Sequence, residues 1–335
     1  MTERNLGAVY TLVDVLRMMD PNNERLLFVG DVLARRTPML QDAPIMEANQ
    51  ALTHIGTRDI QLPTVGKRAI NDGVIYAAHK ETPITAPMSL FETFSRVDEE
   101  ILRLAGKNAS AVRQRKDRKF IEAMSQAVQE EAIYGSVGDD ELGFNGFNTL
   151  FNSLTTYPNG DSTWYYNVLD GGGSGSDTCS ILVVEWGAEK CHFIYPKGTQ
   201  AGIEINDLGK QLVQGYSGSG YNYVAMVTQF KWRMGLFVQD ERCVQRIANV
   251  ESAGSTNTFN DNDLLTMCNR LPEMGENDMT RIYVNRTVRT QMDIKVKDKN
   301  NVNYTMDTAF GKPVLRFRGI PVQICDALTN TETAI

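Results

Sequence analysis

Residues 110–135, SAVRQRKDRKFIEAMSQAVQEEAIYG, form the stretch around which the rest of the fold must be built. Ser110 is a preferred N-cap residue and Gly135 a preferred residue just beyond a helix, so the stretch predicts one helix between them. A helix of about 24 residues is about 36 Å long. Its second half carries an apolar stripe at helical spacing, made of Phe120, Ile121, Met124, Ala127 and Val128.

The first half of this helix is basic where the stripe should continue. The cations there are Arg113, Arg115, Lys116, Arg118 and Lys119. They surround the helix axis near its N-terminus, where a positive charge opposes the helix dipole by about 0.3–1 kcal/mol per group in the first turn. One interpretation is a solvated helix face. The unfavourable placement favours another, in which an acidic surface outside the helix neutralises the cations.

Upstream of the long helix, the sequence predicts an arm and a hairpin. Apolar residues at helical spacing predict a helix that ends at Asp20-Pro21, namely Leu6, Val9, Tyr10, Val13, Leu16 and Met19. A second short helix is predicted over residues 24–35. Alternating segments on either side of Asn71-Asp72-Gly73 then predict two strands and a turn with Gly73 at positive φ. The apolar faces of the two arm helices need a surface supplied from elsewhere. The hairpin has few large apolar residues of its own and is at best marginally stable alone, so it too is expected to pack against a partner.

Between the hairpin and the long helix, Phe94, Val97, Ile101 and Leu104 predict another helix, closed by Gly106. Downstream, the pattern mixes strands and helices. The predicted strands are Ser180–Trp186, His192–Tyr195, Val224–Phe230, Val314–Phe317 and Pro321–Cys325. The predicted helices are Asp261–Arg270 and Asn285–Met292. Two glycine-rich stretches, residues 171–176 and 215–220, are predicted to be mobile surface loops. The fold class is therefore α+β with one long helix.

Composition narrows the range of functions. A formal net charge of −7 argues against a dedicated nucleic-acid binder. The five cysteines are odd in number and lack paired spacing, so we expect reduced thiols in the core and an intracellular setting. The N-terminus lacks the order of a signal peptide, and the longest apolar run is far shorter than a membrane span, which indicates a protein made in the cytoplasm.

The sequence contains no pattern that indicates catalysis. Its three histidines are His54, His79 and His192, and the last is expected to lie within a strand. Neither glycine-rich stretch has the residues that complete a phosphate-binding loop, and Ser219 breaks a nucleophile-elbow pattern around Ser217. We therefore predict no catalytic residue, no cofactor site and no metal site.

The order of these elements is accompanied by nine short stretches with a recognisable sequence, at residues 70–73, 97–100, 130–135, 144–147, 232–238, 246–249, 282–286, 311–313 and 319–322. Together they resemble the major capsid proteins of tailed bacteriophages, which have the Hong Kong ninety-seven-type fold. The stretches look like the branch of that family found in epsilon-fifteen-like short-tailed phages. The resemblance implies an N-terminal arm (1–48), an extended E-loop hairpin (49–90), a P-domain with the long spine helix (91–150) and an A-domain with returning P-domain strands (151–335).

The same resemblance implies a structural protein that self-assembles into pentamers and hexamers. These would close an icosahedral shell around double-stranded DNA that is enclosed without sequence-specific binding. Further implied partners are a portal protein and, less directly, a scaffolding and a decoration or cementing protein, with no membrane. The expected location is the capsid shell of the virion, assembled in the host cytoplasm. Two alternatives stay open: an encapsulin-type cellular compartment of the same fold, and an α+β enzyme.

Some members of the family crosslink through a lysine and an asparagine. Lys67 lies in the predicted E-loop, but no acceptor is identifiable, so we predict a non-covalent shell. The acidic surface facing the basic half-helix is predicted to be either packaged DNA or acids of an adjacent subunit, such as residues 98–100 or 139–141, and the net charge favours the subunit. The candidate inter-subunit contacts are Leu6, Val9, Val13, Lys67, Arg68, Gly73, Arg113, Arg115, Lys116, Arg118 and Lys119.

Overall fold

The computed structural model describes residues 35–155, 157, 165–215, 222–254, 256–273, 277–296, 304–309 and 312–335. The chain forms two compact units. Among the described residues, the first unit comprises Leu90–Ala127 and Gly202–Arg233. The second comprises Arg35–Ser89, Val128–Ala201 and Met234–Ile335.

Runs of strands are separated by helices along the described chain. The helices are α1 (Met39–Asp42), α2 (Glu99–Ala105), α3 (Ala109–Tyr134), α4 (Phe147–Leu150), α5 (Asp261–Arg270) and α6 (Arg286–Val296). The strands are β1 (Ile45–Glu47), β2 (Thr53–Gln61), β3 (Lys80–Pro87), β4 (Ser89–Asp98), β5 (Val168–Asp170), β6 (Thr178–Glu185), β7 (Cys191–Tyr195), β8 (Glu204–Gln214), β9 (Asn222–Val238), β10 (Val244–Glu251), β11 (Thr280–Val284), β12 (Tyr304–Ala309), β13 (Lys312–Phe317) and β14 (Ile320–Ile324).

Seven strands of the second unit form one mixed sheet in the order β12-β13-β14-β11-β6-β10-β5. Every residue of the interior strand β6 is buried, as expected for a strand covered on both faces. Helices α5 and α6 contribute to the core of this sheet with Leu264, Met267, Cys268, Val288 and Met292. The α+β prediction is therefore confirmed, and α5 has the predicted bounds.

The first unit is built around the strands β4 and β8 and the part of β9 that lies in this unit. β8 and β9 are antiparallel, from Glu204 opposite Lys231 to Gln214 opposite Asn222. Helix α3 contacts this sheet, with the ring of Phe120 stacked on that of Phe230 at 6.1 Å between centroids. The long helix ends before Gly135, as predicted. It begins at Ala109, so Ser110 is not its N-cap.

The helix predicted from Phe94 to Leu104 is wrong in its first half. Phe94 and Val97 lie in β4, whose residues alternate between exposed and sheltered, and the helix begins only at Glu99. Asp98 sets this boundary, because its carboxylate accepts a hydrogen bond from the backbone N–H of Glu100 at 2.9 Å. The helical spacing of the four apolar residues was a coincidence across a strand–helix junction.

The hairpin is present, but its strands lie further from the turn than predicted. β2 and β3 pair from Thr53 opposite Pro87 to Gln61 opposite Lys80, and residues 62–79 contain no strand. The prediction for Gly73 is also wrong. Asn71 has the positive φ of 68°, since an asparagine tolerates this conformation, and Gly73 does not have a positive φ.

One of the two loops predicted to be mobile is bound to the sheet. The backbone N–H groups of Gly171 and Gly173 each donate to β10, to the carbonyls of Ala248 and Asn249, at 2.8 Å. A Cβ on Gly173 would lie 2.5 Å from the Asn249 carbonyl oxygen, so the glycine is needed for this close approach. Most of the other glycine-rich stretch, residues 216–220, and the predicted arm helices, residues 1–34, lie outside the described residues.

Candidate assembly surfaces

The tip of the hairpin, residues 62–79, is exposed along its whole length. Six large apolar side chains on it are exposed, namely Leu62, Val65, Ile70, Val74, Ile75 and Tyr76. A soluble protein rarely leaves so many apolar side chains together in water, and such a group marks an interaction site. The predicted contacts Lys67, Arg68 and Gly73 lie on the same tip, all exposed. None of these six residues is among the contacts predicted from the sequence, although the hairpin is predicted to need a partner surface.

The base of the hairpin is fixed to the body of the second unit by an arginine. Arg58 of β2 donates from Nε to the carbonyl of Gln239 and from Nη2 to that of Val238, both at 2.8 Å. It also forms an ion pair with Glu241. Three bonds from one planar guanidinium fix the direction in which the strand leaves the body.

Close packing reinforces this attachment. A Cβ on Gly56 would lie 2.5 Å from Cζ of Phe237, so the strand passes directly over that ring. The ring of His54 contacts the same phenylalanine at 4.4 Å, edge to face. Burial lowers the pKa of His54, and it lowers that of His192 in β7, whose position within a strand is as predicted. Both imidazoles therefore favour the neutral form.

The basic half of α3 contacts the sheet of its own unit. Arg113 donates from Nη2 to the Asp207 carboxylate at 2.5 Å and to the Thr228 hydroxyl at 2.9 Å. The same hydroxyl donates to Asp117 at 3.3 Å. Arg113 and Asp117 lie on the line along which the apolar stripe of α3 would continue, and they extend the packed face of the helix through this polar network. The hydrogen bond from Arg113 lowers the pKa of Asp207.

The other four predicted cations differ in accessibility. Lys116 is buried and Arg115 is half-buried, whereas Arg118 and Lys119 are exposed. Lys119 also donates to Glu122 at 2.9 Å, one turn away on the same helix. Only part of the basic run is therefore presented to solvent.

The two predicted acidic segments also differ in accessibility. Within residues 98–100, the carboxylate of Asp98 caps α2, Glu99 is paired with Lys210, and Glu100 is paired with Arg103. The second segment, residues 139–141, is exposed along its length. The acids near the C-terminal end of α3 are thus the more accessible of the two groups.

The C-terminal segment is attached to the large sheet. The backbones of Thr178 and Glu332 exchange two hydrogen bonds, at 3.0 and 3.4 Å. The Glu332 carboxylate accepts a hydrogen bond from Tyr134 at 2.6 Å and lies 3.3 Å from Nη2 of Arg246, which is almost fully buried. Burial lowers the pKa of Arg246, and the charge of Glu332 opposes this effect.

Groups able to do chemistry are sparse in the part of the chain that the structure describes. All five cysteines are buried as free thiols. Burial raises the pKa of Cys325 to about 11 and that of Cys268 to about 12, which keeps them protonated. None of the described helices is long and apolar enough to span a membrane. One group the sequence did not predict lies on the hairpin, where donor atoms of Asp59, His79 and Glu81 lie within 4.8 Å of one another.

Comparisons with known proteins agree with the resemblance. The chain is similar over its full length to a solved chain of bacteriophage Epsilon15. The two are 25% identical with a TM-score of 0.66, and the match covers 100% of this chain and 99% of that one. It is also similar to the capsid of bacteriophage JBD30, at 14% identity and a TM-score of 0.47 over 89% and 93% of the two chains.

An encapsulin, SrpI from Synechococcus elongatus PCC 7942, is similar at 11% identity and a TM-score of 0.44, over 76% of this chain and 99% of that one. No curated protein sequence matches the chain significantly. The family model for Major capsid protein GP7 matches residues 20–335, which is nearly the whole sequence. The chain therefore belongs to the major capsid protein GP7 family and is a shell-forming capsid protein of a tailed bacteriophage with the Hong Kong ninety-seven-type fold.

Proposed function

We propose that this capsid protein assembles as pentamers and hexamers into an icosahedral shell around double-stranded DNA. The observation that carries the proposal is the exposed apolar tip of residues 62–79, held out by a firmly attached base. Such a segment gains stability only when another subunit covers it. A closed shell supplies that cover at every subunit, through large repeated interfaces.

The proposed domain assignment is the one that the family resemblance implies. We assign residues 49–90 as the E-loop, 91–150 as the P-domain with its spine helix, and 151–335 as the A-domain with returning P-domain strands. Residues 1–48 are assigned as the arm. Its predicted contacts Leu6, Val9 and Val13 lie outside the described residues and stay predictions.

The exposed cations of α3 are proposed to face acids of an adjacent subunit. Arg118 and Lys119 are accessible, and residues 139–141 offer an exposed acidic segment. Since residues 98–100 are already engaged within the chain, the segment at 139–141 is the better partner. The net charge of −7 supports this choice over packaged DNA, because a negative subunit repels DNA on average.

The family role also suggests the remaining partners. We propose a purely structural protein, without catalysis or crosslinks, assembled in the host cytoplasm and found in the virion shell. A portal protein would occupy one vertex, and scaffolding and decoration proteins would assist assembly and stabilise the shell. DNA would be enclosed without sequence-specific contacts.

Negative-stain electron microscopy of the purified full-length protein tests the proposal. We expect closed shells, or rings of five and six subunits, at moderate protein concentration. Replacing Ile75 and Tyr76 by Asp should abolish these assemblies and leave the far-ultraviolet circular dichroism unchanged, because both side chains are fully in solvent. A dilute monomer with measurable turnover would favour the enzyme alternative. Neighbouring genes for encapsulated cargo, without those for a portal, would favour an encapsulin.

A further inference from the structure

The end of the hairpin ladder brings together three groups that bind metal ions. Asp59 of β2 lies directly opposite Glu81 of β3, and Gln61 opposite Lys80 is the last pair before the tip opens. His79 is the residue just beyond that pair, and its Nε2 lies 2.7 Å from a carboxylate oxygen of Glu81. One donor atom from each of Asp59, His79 and Glu81 lies within 4.8 Å of the other two.

The placement of the Asp59 and Glu81 carboxylates opposite one another is electrostatically unfavourable. Like charges directly opposite one another on an antiparallel pair are destabilising, and this ladder has only two strands with little core to offset the repulsion. A divalent cation between the carboxylates would remove the repulsion and neutralise both charges. The hairpin does not place a lysine or arginine opposite Asp59, since its ladder partner is the acid Glu81.

We propose that Asp59, His79 and Glu81 bind zinc or a similar divalent transition-metal ion at the end of the hairpin ladder, where the pairing of β2 and β3 stops. An imidazole nitrogen with two carboxylate oxygens is a ligand set for zinc or a similar ion, whereas magnesium and calcium prefer oxygen alone. In a tetrahedral site with bonds of about 2.1 Å, neighbouring donor atoms lie about 3.4 Å apart. His79 Nε2 and a Glu81 carboxylate oxygen are 2.7 Å apart, and every separation in the group is at most 4.8 Å, so small rotations of the exposed side chains reach this value.

The position of the ion gives it a structural effect. It joins both strands where backbone pairing ends, so it extends the constraint of the ladder to the first residues of the tip. Three protein ligands leave a fourth position for water or for a ligand from another subunit. A bound ion therefore stiffens the segment that carries the exposed apolar residues. This inference does not depend on how the subunits assemble.

Zinc binding by the full-length protein tests the site. Purified protein is stripped of metal with EDTA, exchanged into chelator-free buffer and titrated with ZnCl₂. The zinc bound per subunit is then measured by inductively coupled plasma mass spectrometry. We expect one ion per subunit, with His79→Ala and Glu81→Gln each weakening binding at least about tenfold. The matched control is Asp72→Asn, an exposed carboxylate on the same tip, which should bind as the unchanged protein does. Mg²⁺ added in molar excess over the bound zinc should not displace it.

A second measurement separates this site from zinc held elsewhere. Trypsin can cleave after Lys67 and Arg68 on the exposed tip. Zinc should slow this cleavage in the unchanged protein and in Asp72→Asn, but not in His79→Ala. Unchanged zinc affinity in both ligand variants, equal protection of His79→Ala, or displacement by Mg²⁺ would each overturn the proposal.

Discussion

The carboxylate of Glu332 lies 3.3 Å from the guanidinium of Arg246, and both side chains are almost entirely buried. Arg246 also donates to backbone carbonyls of Asn148 and Phe151, at 3.2 and 2.8 Å, so it joins three separate segments of the second unit. Glu332 supplies the negative charge that this buried cation requires. Glu332, close to the C-terminal end of the chain, is thus part of the folded core of that unit.

Removing the acid should therefore destabilise the subunit strongly. We expect Glu332→Ala to lower the free energy of unfolding by about 3–5 kcal/mol, because it leaves a buried guanidinium without its counter-charge. The measurement is denaturant unfolding of unassembled subunits. The neighbouring exposed residue gives the control, Thr333→Ala, which should change stability by less than about 0.5 kcal/mol. Equal effects of the two variants would contradict this role.

The base of the hairpin should not tolerate a methyl group at Gly56. A Cβ there meets the ring of Phe237 at 2.5 Å, so we expect Gly56→Ala to cost about 1–3 kcal/mol of unfolding free energy. Gly66→Ala is the matched control on the tip, where the nearest side-chain atom is 3.9 Å from the new Cβ. If both variants unfold at the temperature of the unchanged protein, the strand does not pass over the ring.

The ion pair of the first unit predicts a specific pH dependence. The hydrogen bond from Arg113 lowers the pKa of Asp207 below the ordinary value of an aspartate. A lowered pKa in the folded state means that the stabilisation is present above the unfolded-state pKa of about 3.9 and is lost as the pH falls through the lower folded pKa. Asp207→Asn should thus lower the melting temperature at pH 6, and the difference from the unchanged protein should shrink in more acidic buffers. A difference independent of pH would exclude this linkage.

The exposed cations of α3 should matter for assembly and not for folding. Arg118→Glu is the better test than a change at Lys116, because Lys116 is buried and its reversal would disturb the fold. We expect Arg118→Glu to keep the melting temperature and to impair assembly of empty shells without DNA. Lys107→Glu, at an exposed position outside the basic run, is the control. Normal empty shells that then package poorly would assign the cations to DNA.

The thiols should be inert in the folded protein. All five are buried, and burial raises the pKa of Cys179 to about 12, so the reactive thiolate is scarce at neutral pH. We expect a thiol-specific reagent to modify none of them in native subunits and all five after denaturation. Reducing agent should leave shells intact, and shells that dissolve in it would show intermolecular disulfides.

The sequence predicted those helices and strands whose apolar spacing and end residues form a clear local pattern. The long helix, α5 and the strand containing His192 were located because their spacing and end residues act locally. The strand β4 was misread as helix, since Phe94 and Val97 fit a helical spacing by chance and the capping role of Asp98 is visible only with the backbone in place. The hydrogen bonds that fix Gly171 and Gly173 are accepted by carbonyls of β10, which is far along the chain, so no local sequence pattern predicts them.

The candidate contact residues could likewise be predicted only where the information is local in the sequence. Charge placement in the sequence identified the basic half of α3, but Asp207 lies on a distant strand, and its pairing with Arg113 depends on how β8 folds back. The sequence alone does not show that Lys116 is buried and Arg118 exposed, because both are basic residues of the same run. The group of Asp59, His79 and Glu81 has no recognisable spacing, because antiparallel pairing and not sequence distance brings its members together.

Six large apolar side chains of the hairpin tip stay in water while the subunit is alone. Covered by a neighbouring subunit, as proposed, they would be removed from water at every contact of the shell. Transfer of apolar surface out of water is driven by entropy near room temperature and becomes weaker on cooling. We therefore expect shells of this protein to be sensitive to cold, loosening near freezing and becoming firmer on moderate warming.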